Sequence, residues 1–341
     1  MRKNLEEVKV KSSTEDSYSR IAMMLFRSAN IFISDLENTP ADADYLGSVE
    51  RRFYNHFYER IEKVKKSTFY LYKNAVLWYL DGRCELLCQM ISDFEFNGLA
   101  NNQRVRGSSN RQKFINDDQL DKLMIHLANG RDTAIATLGF LYTTMYFGVR
   151  PMETAEMRFI EVEKLEDGYK GICEVRNAKF DDMRSFGEKR RIHFNLDENT
   201  LDIIIFFVMY KEDLQKIHGV KKGYEKCYHR CKNCLYNACK KLFKGKRKIS
   251  LYSGRHQFIA NLKSAGYKEN EICALVGHRS PESAKIHYGK KFKGSYRGRG
   301  DDLRAMIKPD KECLALVNEF HSRITKENPV TVKAVLELEM W

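Results

Sequence analysis

Residues 277–288 read GHRSPESAKIHY, and this segment decides more about the fold than any other part of the chain. The apolar run before it ends at Gly277, and glycine is typical of the residue that follows a helix. Ser280 and Pro281 predict that a new helix begins there, because serine caps helices and proline favours their first position. The segment therefore places His278 at a helix junction and Tyr288 at the end of the next short helix.

Upstream of that segment, residues 251–258 read LYSGRHQF. We expect Ser253 to cap a helix that runs to Gly266, which would place Arg255 in the first turn. Backbone N–H groups are free at that end of a helix, and the helix dipole is positive there. The pattern predicts a site for a phosphate group.

Further upstream, residues 147–153 read FGVRPME. A buried helix over about residues 132–147 is predicted to end at Gly148, and Pro151 is predicted to open another helix. Arg150 lies between them, where its planar guanidinium group can bind a phosphate through two hydrogen bonds. Glu153 lies on the same side, and we expect it to hold Arg150.

Two strand-like segments lie between these motifs, at residues 171–179 and 190–195, and flank a polar turn. The remaining patterns are helical, beginning with residues 48–61 and including the apolar run Leu201–Tyr210. We expect a mainly α (α+β) fold, with an N-terminal helical domain followed by a mostly helical domain that carries a small antiparallel sheet.

The composition favours a folded protein with a polyanionic partner. The 341 residues include 59 lysines and arginines against 46 acidic residues, a formal net charge of +13. An excess of this sign is typical of nucleic-acid binding. The N-terminus lacks the apolar core of a signal peptide, and no run reaches the length of a membrane-spanning helix, so the sequence predicts no membrane partner.

Taken together, the three motifs resemble the tyrosine recombinase (phage integrase) family over about residues 45–290. The segments FGVRPMETAEM, SGRHQFIANLKSAG and GHRSPESAKIHY occur in the family's order. They bring Arg150, Arg255, His278 and Tyr288 into the family's catalytic pattern. The resemblance implies that Tyr288 attacks a DNA phosphate and holds the DNA as a 3′-phosphotyrosine, without a metal ion or other cofactor.

The resemblance also implies a catalytic lysine at the end of the first hairpin strand. Lys179 matches that position, and Lys189 across the turn is the alternative. Glu153 and His256 would support the site. One departure concerns Tyr252, which stands where the family usually has a histidine. A tyrosine hydroxyl, with an unperturbed pKa of about 10, can donate a hydrogen bond to a phosphate but is a poor proton carrier near neutral pH.

The resemblance divides the chain into an N-terminal extension (1–44), a helical core DNA-binding domain (45–97), a basic linker (98–113), a catalytic domain (114–295) and a C-terminal tail (296–341) that protomers exchange. We expect the basic residues of the linker and of a second basic stretch to contact DNA phosphates; they are Arg104, Arg106, Arg111, Lys113, Lys246, Arg247 and Lys248.

The implied assembly is a homotetramer on two double-stranded DNA sites. Accessory DNA-bending proteins are compatible with such an assembly. In a prokaryote the protein would be cytoplasmic and associated with the nucleoid. A mobile element or phage is the expected source of such an integrase. Two other functions stay open: a type IB topoisomerase-like nicking-closing enzyme, and a DNA-binding relative that has lost catalysis.

A zinc site is not predicted. Cys227, Cys231, Cys234 and Cys239 follow the spacing C-x3-C-x2-C-x4-C, which is not a recognised zinc pattern. The first three recur at helical spacing, so we expect them on the buried face of a helix.

Overall fold

The structure is a computed structural model that describes residues 12–32, 47–62, 64, 66–80, 84–96, 111–178, 180, 187–244, 248–278 and 301–327. The chain divides into two compact units, Met1–Ser108 and Ser109–Trp341. The finer domain boundaries at residues 44, 97, 113 and 295 stay predictions.

The first unit is helical in its described part. Its helices are α1 (Ser12–Ser28), α2 (Ser48–Ile61), α3 (Lys66–Leu80) and α4 (Glu85–Ser92). Phe53, Phe57 and Ile61 share the buried face of α2, as their spacing predicts, and the Phe53 ring stacks on Phe26 at 4.3 Å. α1 ends at Ser28, and Asn30 just beyond it adopts a left-handed conformation with φ 57, which is typical of a helix end.

The second unit carries the three motifs. Its elements, in chain order, are β1 (Arg111–Gln112), α5 (Asp117–Ala128), α6 (Asp132–Tyr146), a 3-10 helix (Pro151–Ala155), β2 (Arg158–Leu165), β3 (Gly168–Arg176), β4 (Lys189–Leu196), α7 (Glu198–His218), α8 (Val220–Leu242), β5 (Lys248–Ile249), α9 (Leu251–Ser264), α10 (Glu269–Val276), α11 (Asp301–Met306), β6 (Ile307–Pro309) and α12 (Lys311–Glu327).

The main sheet is antiparallel, with the strand order β2-β3-β4-β6. The two predicted strands are β3 and β4, and the sequence patterns missed the two edges. β2 mixes charged and apolar residues that are mostly exposed, and β6 has three residues. The predicted fold class, mainly helical with a small antiparallel sheet, is confirmed.

The helical core brings α9 close to α6, which positions two of the motifs. A Cβ atom on Gly254 would collide with the Thr144 hydroxyl oxygen, so only a residue without a side chain allows this approach. α6 also packs against α7, where the rings of Phe140 and Phe207 stack at 4.4 Å. The start of α9 and the end of α6 therefore belong to one buried framework. No helix in the described part of the chain could span a membrane.

Candidate active site

Arg150 lies in the turn between α6 and the 3-10 helix. Its backbone N–H donates to the Glu153 carboxylate at 2.7 Å, and its guanidinium Nη1 lies 2.5 Å from Glu153 Oε1. The expected contact between the two side chains is confirmed. About a tenth of the Arg150 side chain stays exposed. The guanidinium group is thus fixed from behind while part of it still faces solvent.

The 3-10 helix that holds this pair is itself fixed by two buried side chains from neighbouring helices. The Tyr224 hydroxyl, from α8, donates to the Pro151 carbonyl oxygen. The Lys211 ammonium, from α7, donates to the Thr154 carbonyl oxygen at 3.2 Å. Burial lowers the pKa of Lys211 and raises that of Tyr224. Neither contact was predicted from the sequence.

Glu153 connects three arginines. Its carboxylate lies 2.7 Å from Arg190 Nη2 and 3.6 Å from Arg255 Nη1, in addition to the Arg150 contact. We call Arg150, Glu153, Arg190 and Arg255 the inner charge cluster. Burial alone would raise the pKa of the Glu153 carboxyl group, but Arg190 and then Arg150 and Arg255 hold it well below its usual range. With three cations and one anion, the cluster has a net charge of +2, which favours an anionic ligand.

Arg190 is the residue that sequence reasoning missed. It is completely buried, donates from Nε to the Leu275 carbonyl at 3.0 Å, and donates from Nη1 to the Asn177 side-chain oxygen. Burial lowers its pKa, and Glu153 opposes that effect. A signal was present in the sequence. Ile192, Phe194 and Leu196 follow Arg190 at intervals of two residues, so all four side chains lie on the same face of β4 and point into the core.

Arg255 is also completely buried, and its predicted setting is wrong. Ser250 caps α9, and Ser253 lies inside the helix, where its hydroxyl accepts from the Ser250 N–H at 3.0 Å. Arg255 is therefore the fifth residue of α9 and not part of its first turn. Leu251 and Tyr252, which precede the predicted cap, form the first helical positions.

The guanidinium group of Arg255 instead bridges two helix ends. It donates to the carbonyl oxygens of Gly148 at 2.5 Å and Val276 at 2.8 Å. Carbonyls at helix C-terminal ends lack partners within their own helix, so they are natural acceptors. Arg255 thus ties the end of α6 to the end of α10.

His278 is almost completely buried and follows Gly277, whose φ of +70 ends α10 as predicted. A Cβ atom on Gly277 would collide with the Asn177 side-chain oxygen, so glycine lets the two segments meet. His278 Nε2 lies 2.9 Å from Arg255 Nη2. Since arginine can only donate, the geometry assigns a neutral ring whose proton is on Nδ1.

Tyr252 and His256 lie on the exposed side of α9, with their rings 5.3 Å apart. Both are half-buried. Burial, followed by the charges of Lys113 and Arg255, lowers the pKa of His256 to about 4. His256 is therefore neutral near pH 7, which fits a supporting role and limits the positive charge of this surface.

Lys179 and Tyr288, the predicted general acid and nucleophile, lie outside the described residues, as do Arg104, Arg106, Lys246 and Arg247. The backbone N–H of Ala178, next to Lys179, lies 3.4 Å from Glu153 Oε1. The alternative lysine, Lys189, contacts Glu174 at 2.9 Å across the exposed face of the sheet. It lies on the opposite face of β4 from its neighbour Arg190.

The predicted DNA-binding residues within the described range meet at the short parallel sheet. Arg111 in β1 is paired in register with Lys248 in β5, so the linker end and the second basic stretch lie side by side. Lys113 is exposed just after β1. The described residues contain no group of histidine, cysteine and acidic side chains able to hold a metal ion. Cys227 and Cys231 lie on the buried face of α8, as expected.

Neither a protein-family model nor a curated protein matches this chain. Solved structures do match. A protelomerase covalently complexed with substrate DNA has 12% identity and a TM-score of 0.48, covering 86% of this chain and 96% of that one. The XerH site-specific recombinase in a post-cleavage complex has 13% identity and a TM-score of 0.47, with coverages of 79% and 74%.

A lambda integrase dimer bound to a COC′ core site has 11% identity and a TM-score of 0.43, covering 83% of this chain and 93% of that one. At this level of similarity the comparisons assign no role to any residue of this chain. The side-chain geometry and the sequence motifs carry the functional argument.

Proposed function

We propose that this chain is a site-specific DNA recombinase of the tyrosine recombinase family. It would cleave and rejoin duplex DNA through a covalent bond between Tyr288 and a DNA phosphate. The observation that carries the proposal is the inner charge cluster, with His278 in contact with it. Arg150 and Arg255, from two of the sequence motifs, contact one buried carboxylate, and His278 from the third motif contacts Arg255.

The cluster fits the chemistry of phosphodiester cleavage. Attack by a tyrosine oxygen adds negative charge to the two non-bridging oxygens of the phosphate, so fixed cations lower the barrier. Arg150 is the partly exposed member and would contact those oxygens. Arg255 and Glu153 hold Arg150 and its turn in place, so little reorganisation is needed when the charge develops.

His278 would act as a hydrogen-bond donor to the same phosphate. Its Nε2 lies 2.9 Å from Arg255 Nη2, so the ring lies beside the inner charge cluster. Tyr252 would contribute a hydroxyl donor at the rim of the site.

The covalent step is a transesterification. The Tyr288 oxygen forms a bond to phosphorus, the bond from phosphorus to the 5′ oxygen breaks, and the departing oxygen takes a proton from Lys179. The tyrosine proton passes to water. Because one phosphodiester replaces another, a 5′ hydroxyl from a second strand can reverse the step without ATP.

Several finer features belong to the same proposal. The partner would be double-stranded DNA, bound by a homotetramer on two sites, with Arg111, Lys113 and Lys248 contacting phosphates. A mobile element or phage integrase is the expected biological setting. The competing proposal is a DNA-binding relative that has lost catalysis. The feature that favours it is a tyrosine at position 252, where the family usually has a histidine.

The test is capture of the covalent intermediate. In a duplex from the DNA flanking the gene, nicked just beyond the scissile phosphate, cleavage releases the short downstream fragment that carries the 5′ hydroxyl. Loss of this fragment prevents rejoining and traps the adduct. We expect a protein–DNA adduct on a denaturing gel with the wild type and none with Tyr288→Phe. If the wild type binds the duplex and forms no adduct, the enzymatic proposal is wrong and the DNA-binding alternative replaces it.

A further inference from the structure

A pocket lies beside the candidate active site, on the surface formed by α8, β5 and the start of α9. Its volume is about 530 Å³. Pockets for small organic ligands span about 300–1,000 Å³, so this one has room for a single nucleotide. Pro151, directly after Arg150, and Tyr252 belong to its wall. The pocket therefore adjoins the inner charge cluster.

The α8 wall of the pocket repeats an aromatic and a cationic residue at helical spacing. Tyr228, Lys232 and Tyr236 are four residues apart and share one face of the helix. Lys248 reaches the same pocket from β5. We call Tyr228, Lys232, Tyr236 and Lys248 the lysine–tyrosine pocket.

Each lysine of the pocket lies near a ring. The Lys248 ammonium is 3.6 Å from the centroid of the Tyr236 ring, and the Lys232 ammonium is 6.0 Å from that of Tyr228. The first distance is a close cation–π contact, which orients the lysine. Lys248 also lowers the pKa of the Tyr236 hydroxyl, because it donates a hydrogen bond to that group and favours its negative form.

The charge of the wall has one sign. The described residues that line the pocket include two lysines and no carboxylate. An aromatic ring can stack on any of the four bases, and a lysine can contact the phosphate of the same nucleotide. Asn233, also in the wall, adds an amide that can donate and accept hydrogen bonds.

We propose that the lysine–tyrosine pocket binds one nucleotide, with its base against the tyrosine rings and its phosphate between Lys232 and Lys248. The inference rests on the proposed DNA-directed function of the neighbouring site. The occupant would be an unpaired nucleotide of the DNA substrate close to the cleaved phosphate. A free nucleotide has the same chemistry, and the experiment separates the two sources.

The test measures binding of two probes to the full chain: a fluorescent single-stranded thymidine tetranucleotide, and thymidine 5′-monophosphate by calorimetry. Tyr236→Ala removes the ring and should raise the Kd about tenfold, which lies within the range for stacking of a base on an aromatic side chain. Tyr236→Phe keeps the ring and is the matched control, with a Kd within about twofold of the wild type. About half of the Tyr236 side chain is exposed, so both variants should fold.

A crosslinking arm locates the bound base. A tetranucleotide with 5-iodouracil should crosslink on irradiation to a peptide that contains Tyr228 or Tyr236. Dependence on Tyr236 for both probes identifies a free-nucleotide site, and dependence for the tetranucleotide alone identifies a site for the DNA strand. The proposal is overturned if neither probe binds, if Tyr236→Ala binds like the wild type, or if crosslinks form only outside α8 and residues 248–252.

Failure of the pocket and failure of the recombinase proposal are distinguishable. If an adduct forms on Tyr288 and probe binding does not depend on Tyr236, the pocket proposal is refuted and the recombinase proposal stands. If probe binding depends on Tyr236 and no adduct forms, the pocket proposal stands and the recombinase proposal is refuted.

Discussion

The inner charge cluster and the lysine–tyrosine pocket are neighbours with the same sign of charge, but they are built in different ways. In the cluster, three arginines surround a carboxylate, and the side chains of Glu153, Arg190 and Arg255 are fully buried. In the pocket, Lys232 and Tyr236 are exposed. Removing the partner of a buried charge is costly because water cannot replace it, whereas exposed charges act separately and are screened by water and salt. The cluster should therefore respond to mutation as a unit, and the pocket one residue at a time.

The largest expected effect is on the stability of the cluster. Glu153→Gln leaves the buried arginines without their shared carboxylate and should lower the free energy of unfolding by about 3–5 kcal/mol. Urea unfolding followed by circular dichroism measures it. The matched control is Glu198→Gln, which breaks the exposed pair with Lys164 and should leave the free energy of unfolding nearly unchanged. Equal losses for the two variants would refute the distinction between buried and exposed charge.

The next largest effect is expected on the rate of adduct formation, because Arg190 positions the groups around Glu153. Arg190→Met breaks the link between Glu153, Asn177 and the end of α10, and should slow adduct formation about 100-fold while duplex affinity changes little. Its control is Arg191→Gln, a change at the adjacent exposed position on the opposite face of β4. That variant should form adduct within about twofold of the wild type. If both variants cleave equally fast, Arg190 is not a positioning residue.

A smaller effect is expected on the pH dependence of stability, through His256, which lies between the cluster and the pocket. The pKa of His256 is lowered to about 4 in the folded protein, whereas an unfolded histidine takes up a proton below about pH 6.5. Stability from this residue is thus complete above pH 6.5 and lost as the pH falls towards 4. Allowing for solvent screening, the loss is about 1–2 kcal/mol.

His256→Gln should consequently show a smaller fall in Tm between pH 7 and pH 5 than the wild type. The exposed His229, changed to Gln, serves as the control and should behave like the wild type. Parallel Tm curves for all three proteins would contradict the assignment of a neutral His256.

The smallest effect should come from a single pocket lysine. Lys232→Gln is expected to weaken tetranucleotide binding a few-fold and to reduce the slope of log Kd against log salt by about 0.7, the value for one contact with a single-strand phosphate. The control is Lys216→Gln, an exposed lysine on α7 that pairs with Asp213. Identical slopes for Lys232→Gln and the wild type would mean that Lys232 does not contact phosphate.

Much of the framework could be predicted from the sequence because its signals are local. Asn116 caps α5 through a local contact, since its side chain accepts from the backbone N–H of Gln119 within the same turn. Gly277 ends α10, and Glu153 holds Arg150 three residues away. The start of α9 was predicted three residues too late, because both Ser250 and Ser253 are acceptable caps and only the fold selects one.

The sequence by itself determined the helical class, the hairpin and the order of Arg150, Arg255 and His278, because caps, turns and periodicity act over a few residues. Only the tertiary structure decided that Arg190 joins Glu153 across 37 residues and that Arg255 reaches Gly148 across 107. It also decided that two lysines and two tyrosines would line one pocket. Contacts over such separations depend on how buried polar groups are satisfied throughout the core, and no local pattern encodes that requirement.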